Sequence, residues 1–392
     1  MGEEAADGDG DLRVFLALYA AAGSWPLPGG RAPAWHRAYR LLMTANSALT
    51  VALMLRDARR ADTAAGVVGR LALASALLAN ALLTLGALAR RPRLLRLAGR
   101  LRRLPPVPGR LQLRRRVARA TMATAAMLCV HCTSQVTYCL LRGPDQLMAD
   151  VRYPLADRME DARTRQVVLL LVQTGVVFYQ LCNFTAFVGL FMYLSLLARA
   201  HLTAICRALT QQAADVDLRA IVRHHQEVLS FLQEMEAVYH PLLLLDFLPL
   251  VVVICLMIFV LISMEGVDLM FVQTLTLFVL YFLNVGTFCF FGTQITSQAE
   301  AVALSAYGSG WQSRGRAFGG AVLLVLQRAQ RPFALTAGKF APVSITTFSS
   351  MMQDAFSYLM VMRSLIGSKD SASPAGDGQE VSVAASNHTL TL

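Results

Sequence analysis

Apolar residues along the chain gather into runs near the length a helix needs to cross a bilayer, about 20 residues. Seven such runs are predicted as spans, at 35–55, 66–89, 117–141, 167–197, 241–263, 269–291 and 335–366. The fourth opens Val167-Val168-Leu169-Leu170-Leu171 and stays apolar to Ala198, so it is expected to continue beyond the membrane on one side. The third is the most polar, with Thr121, Thr124, His131, Thr133, Ser134, Gln135 and Thr137. Polar groups at membrane depth must meet protein or water, so this span is expected to line a cavity. Between the fourth and fifth spans, Leu202, Ile205 and Leu209, then Ile221, Val228, Leu229, Leu232 and Met235, recur at steps of three and four. That spacing predicts amphipathic helices over 198–240, outside the membrane. In 292–334 the apolar run Phe318 to Leu326 is too short to span and reads as a subunit-packing helix, ended by Arg331-Pro332.

Composition agrees with a lipid environment. The chain is 55% apolar and 16% charged, where soluble domains carry about 25% charged residues, and its mean hydropathy is +0.49. The net charge of +11 is not accompanied by a basic-aromatic module, so nucleic acid is not expected as a partner. The positions of the cations carry more information than their sum. With the N-terminus in the cytosol, the inner segments hold 25 Lys and Arg and the outer segments 11. The stretch from Arg90 to Arg119 alone holds 12 Arg and no acid, and cationic loops stay cytoplasmic. The expected fold class is therefore all-α: a polytopic membrane protein of seven transmembrane helices, with a cytoplasmic N-terminus (1–34) and an extracellular C-terminus. No cleaved signal is expected from the acidic start, and Ala6 stands where acylation of Gly2 would need Ser or Thr. The flexible tail 367–392 is expected outside, where Asn387-His388-Thr389 forms a glycosylation sequon.

The remaining chemistry is sparse. The seven cysteines all fall in apolar or amphipathic stretches; Cys129-Val130-His131-Cys132 spells C-x-x-C without a second ligand pair. His224, His225, Glu227 and His240 lack a further convergent ligand, so neither a metal nor a cofactor is expected. A membrane-embedded enzyme using these histidines is the alternative from another class. It is disfavoured because no His-Glu-x-x-His motif, nucleophile elbow or Walker loop occurs. A transporter would show internal repeats, and none is evident. A seven-span G-protein-coupled receptor would run in the opposite direction, and the sequence has neither Asp-Arg-Tyr after span three nor Asn-Pro-x-x-Tyr in span seven.

The last span carries the most specific pattern. Thr347, Ser350, Asp354, Ser357, Tyr358, Val361 and Ser364 draw one polar-to-small stripe, with Ile345, Phe348, Met352, Ala355, Phe356, Leu359 and Met362 on the other face. A stripe of this kind suits a bundle interior or the axis of a symmetric pore. Around it stand Gly292-Thr293-Gln294-Ile295, Ala301, Tyr307 and Trp311. The run Arg328-Ala329-Gln330-Arg331-Pro332-Phe333-Ala334-Leu335-Thr336-Ala337-Gly338-Lys339-Phe340 follows, then Ser344, Thr347-Phe348 and Ser357-Tyr358. This long, ordered combination resembles the C-terminal signature of insect odorant receptors, while upstream residues match only in pattern.

The resemblance implies a ligand-gated, non-selective cation channel in the plasma membrane of a sensory-neuron dendrite. It would form a heterotetramer with the odorant-receptor co-receptor, the seventh helix lining the pore and 292–334 forming a cytoplasmic anchor between subunits. Carried over by position, Val361 sits at the hydrophobic gate, one turn beyond Tyr358, and Ser364 stands at the pore mouth. A ring of apolar side chains can close a pore by dewetting. Gln353-Asp354 and the length of the tail depart from the family pattern: Asp354 either faces the pore and gathers cations or pairs with a neighbour. The family's pocket for a small apolar volatile ligand lies among spans two, three, four and six. Candidates on those spans, by depth and chemistry, are Leu73 and Leu77, then Thr133, Ser134 and Tyr138, then Phe178, Tyr179 and Cys182, and lastly Phe278, Tyr281 and Phe282. A gustatory-receptor-like channel subunit is the nearest alternative, sharing topology and pore; Ala337-Gly338-Lys339 and Ser357-Tyr358 favour the odorant branch.

Overall fold

The structure is a computed structural model that describes residues 34–60, 64–101, 104–107, 109–142, 153, 159–210, 218–264, 266–331 and 333–371. The sequon at Asn387 and the segments 1–33 and 372–392 lie outside the described residues.

Helices dominate: α1 (Ala34–Ala58), α2 (Ala64–Ala89), α3 (Arg91–Leu101), α4 (Arg110–Arg142), α5 (Ala162–Thr210), α6 (Leu218–Ile262), α7 (Leu269–Tyr307), α8 (Arg316–Ala329) and α9 (Ile345–Ser371). The first six predicted spans fall on helices, and the seventh does so only from Ile345 onward. Five of these helices (α1, α2, α5, α6, α7) are long and apolar enough to cross a membrane by themselves. The spans on α4 and α9 have the length but carry more polar groups, so their place in lipid depends on neighbours.

Local rules explain the ends. Asp268 caps α7, its carboxylate accepting from the Phe271 N–H at 2.8 Å. Pro92 occupies the first turn of α3, where its missing N–H costs nothing. The amphipathic segments behave as their spacing requires. Beyond the predicted spans α5 and α6 continue unbroken to Thr210 and from Leu218, burying Leu202, Ile205, Leu209, Ile221, Val228, Leu232 and Met235.

One expectation fails. Residues 335–344, assigned to the seventh span, form a two-stranded antiparallel hairpin instead, with β1 (Thr336–Ala337) paired to β2 (Ala341–Pro342). Gly338 and Lys339 take left-handed φ values of 62° and 66° at its tip, and Pro342 cannot donate to a helix. The last helix therefore starts ten residues later than predicted, at Ile345.

The main core sits where α5, α6 and α7 cross. Phe187, Phe191, Tyr239 and Phe288 interlock, with the Phe191 and Phe288 ring centroids 4.7 Å apart in an edge-to-face pair. Small residues Ala72 and Ala76 let α2 lie close along α6.

Candidate functional site

Pro241 lies inside α6 and cannot donate to the carbonyl of Ala237 four residues back. That carbonyl is taken instead by Arg90, at the corner between α2 and α3, whose Nη1 donates at 2.9 Å, and more distantly by Arg93 at 3.4 Å. The neighbouring groups hold the hairpin: the Gly338 N–H donates to the His240 carbonyl at 2.6 Å. The Glu236 carboxylate accepts from the Thr336 N–H at 3.1 Å and from its hydroxyl. Burial pushes the Glu236 carboxyl above its usual range, while the Thr336 bonds and Lys339 pull it back. One turn of α6 thus ties the α2–α3 corner to the hairpin that leads into α9.

On the other side of the hairpin, Gly292 of α7 presses on the chain entering α9: a Cβ there would lie 2.1 Å from the Val343 carbonyl oxygen. The Thr293 hydroxyl accepts the Ile345 N–H at 2.9 Å, holding the first turn of α9. Neither contact was apparent in the sequence, although Gly292-Thr293 belongs to the signature.

From there α9 packs one face on its own chain. Ala355 and Leu359 are buried, Phe348, Met351 and Met352 partly so, and Phe348 meets Phe282 of α7 edge to face at 5.1 Å. The opposite face is open. Asp354, Ser357, Tyr358, Val361 and Ser364 are all exposed, Tyr358 at 60% and Val361 at 55%. Phe356, placed on the packed face by the sequence pattern, is exposed at 57% instead, because the buried stripe steps from 348 through 352 and 355 to 359.

A cavity of about 560 Å³, counted with its open mouth, lies among α1, α2, α4, α5 and α7. Leu73 and Leu77, two of the candidates, line it, with Thr50, Met54, His131, Cys132, Gln173, Val176, Val177 and Leu277. The other predicted pocket residues stand off by a few positions. Thr133 is exposed, Ser134 half-buried, and their hydroxyls bond back to Val130 and His131 carbonyls of their own helix. The Tyr138 side chain lies outside what the structure describes. Phe178 is exposed, while Tyr179 and Cys182 turn toward Tyr39 and Met43 of α1. Phe278 and Tyr281 pack on the main core, and Phe282 bridges Phe278 and Phe348. A shift of one to four residues on each helix decides which side chains reach a cavity, and apolar composition does not encode that rotation.

Among the described residues no three His, Cys, Asp or Glu side chains converge as metal ligands would. His224 instead pairs with His201 across α5 and α6, Nε2 to Nδ1 at 3.0 Å. Cys129 and Cys132 are both free thiols.

Residues 74–356 match the 7tm Odorant receptor family. Odorant receptor 10 of Aedes albopictus is 20% identical over 206 residues, 50% of this chain and 55% of that protein. The Odorant receptor coreceptor of Harpegnathos saltator is 24% identical over 141 residues, 36% of this chain and 29% of that one. The chain spans about half the length of the curated relatives it matches. In three dimensions it is similar to the insect olfactory receptor OR5 from Machilis hrabei in complex with eugenol. The TM-score is 0.76 at 14% identity, covering 92% of this chain and 100% of that one. With the match running through α2 to α9, the chain belongs to the odorant receptor family and is a multi-pass membrane protein.

Proposed function

We propose that this chain is the odorant-binding subunit of a ligand-gated, non-selective cation channel, assembled as a tetramer with the odorant-receptor co-receptor in the plasma membrane of a sensory-neuron dendrite. The observation that carries the reading is that α7 both lines the cavity and, a turn further on, contacts the packed face of α9. Leu277 lines the cavity; the ring of its chain neighbour Phe278 lies 6.1 Å from that of Phe282, one turn further along α7, and Phe282 contacts Phe348 of α9. A ligand that favours one arrangement of α7 therefore biases the helix bearing Tyr358 and Val361.

The exposed face of α9 supports a pore role, since its mixture of Asp354, Ser357 and Ser364 with Val361 suits water on opening and dewetting on closure. The twelve Arg between Arg90 and Arg119 support a cytoplasmic position for the α2–α4 connection. Outside the spans, Leu304, Tyr307, Leu323 and Leu324 are exposed, an apolar surface that copies or co-receptor subunits would cover as an anchor.

The test is co-expression with the co-receptor in a cell of low background conductance, recording inward current while volatile compounds are applied. Ligand-evoked current that Phe282→Ala weakens at unchanged surface level is the expected result. Absence of current to a broad panel despite surface delivery overturns the reading.

A further inference from the structure

The cavity is apolar on most of its wall, through Met54, Leu73, Leu77, Val176, Val177 and Leu277, yet it holds two buried polar side chains without partners. Gln173 is 5% exposed, and neither its amide nitrogen nor its amide oxygen has a hydrogen bond. His131 is 8% exposed, and its Nδ1 is likewise unpaired. The third polar lining residue is different. Thr50 donates to the Asn46 carbonyl at 2.8 Å and shares a hydrogen bond with the Tyr153 hydroxyl at 3.0 Å. So the unmet demand is confined to one donor-and-acceptor amide and one imidazole nitrogen.

A buried polar group left without a partner is costly, and it recovers that cost when a ligand supplies the missing bond. An alkane supplies nothing. An aldehyde or ketone can only accept, so it satisfies the Gln173 amide nitrogen and leaves the oxygen orphaned. A hydroxyl both donates and accepts, and answers the amide oxygen together with either the amide nitrogen or the imidazole.

We propose that this cavity selects small apolar molecules carrying a hydroxyl, aliphatic alcohols or phenols, with Gln173 as the principal specificity residue and His131 as its second. The inference rests on the reading of the cavity as the ligand site. Sites built to hydrogen-bond a substrate group discriminate strongly against analogues lacking it, whereas apolar walls separate shapes only weakly.

The probes are two matched series: octane, octanal and octanol; ethylbenzene, acetophenone and phenylethanol. Binding is read as the shift in melting midpoint of the full-length chain in detergent, and gating as current in co-expressing cells. The expected result is apparent binding about tenfold tighter for the alcohol than for its hydrocarbon in at least one series. Gln173→Leu should bring the two within about twofold without weakening the hydrocarbon, and should raise the melting midpoint of the free protein by removing the orphan amide. His131→Phe should lower the alcohol preference by a smaller factor, and keeps the test available should Gln173→Leu fail to fold. Alcohols that bind without evoking current support the inference and remove the channel reading. An alcohol preference that survives both substitutions, hydrocarbons binding as well as alcohols in the native chain, or no midpoint shift with any probe overturns the inference.

Discussion

The Arg90 guanidinium donates to the backbone carbonyl of Ala237 at 2.9 Å, occupying the hydrogen-bonding position that Pro241 leaves empty. The pairing makes the two residues conditional on each other. Arg90→Ala should destabilise the folded chain by about 1.5–3 kcal/mol, the range for a bond with a charged donor. Pro241→Ala restores an N–H for Ala237, and in that background Arg90→Ala should cost much less. Thermal unfolding of the four proteins of this cycle measures the coupling; equal costs in both backgrounds would show that the proline and arginine are independent.

Gly292 tolerates no side chain. Gly292→Ala drives a Cβ into the Val343 carbonyl, backbone against backbone, and should cost about 3 kcal/mol, the upper part of the range for overpacking. Gly320, inside α8, meets nothing within 4 Å, so Gly320→Ala should be neutral or stabilise by about 0.5–1 kcal/mol. Melting midpoints of the two variants, compared side by side, decide whether the junction between α7 and α9 is as tight as its geometry requires.

Stability should depend on pH through the histidines shared by α5 and α6. His201 is held down to about 4 by burial, then by His224 and Arg110; His225 is held to about 4 by burial, then by Arg328 and His224. Burial also lowers His224, against the opposing pull of Glu227. Because the folded values lie below the free value near 6.5, the unfolded chain takes up protons first as pH falls. The stability these neutral imidazoles confer is complete above about 6.5 and is lost progressively toward 4. A pH series of unfolding midpoints should show this slope, and the double variant His201→Gln, His225→Gln should flatten it.

Asp354 lies exposed on α9, three residues before Ser357 and seven before Val361. Reversing its charge with Asp354→Lys should reduce cation current at saturating ligand while surface expression stays unchanged. Equal conductance and permeability in the two proteins would remove Asp354 from the ion path.

How far the sequence reached depended on what each feature encodes. Span positions are legible because a bilayer demands about 20 apolar residues in a row, and α1, α2 and α5 to α7 meet that demand directly. The helices beyond the spans are legible because Leu202 to Met235 repeat with the helical period. The hairpin at 336–342 was missed because Leu335, Ala337, Phe340 and Val343 read as apolar span, although Gly338 and Pro342 offered the turn signal. Gln173 was missed as a cavity residue because an amide in a hydrophobic helix looks the same from sequence whether it meets a backbone group, a neighbour or an empty space. Only the rotation of α5 against α4 separates those cases.

The cavity side chains Gln173, Val176 and Val177 and the buried His201 belong to one helix that contains no proline from Ala162 to Thr210. At 1.5 Å per residue, Val176 and His201 stand roughly 38 Å apart along this shaft. The adjoining α6 carries Pro241 and Pro249, each a place where bending is cheap. A stiff member laid beside a compliant one forces deformation into the compliant one. If a ligand in the cavity tilted α5, the prolines of α6 would be the places to absorb it, and the first of them stands immediately beside the bonds that hold the entry to the final helix.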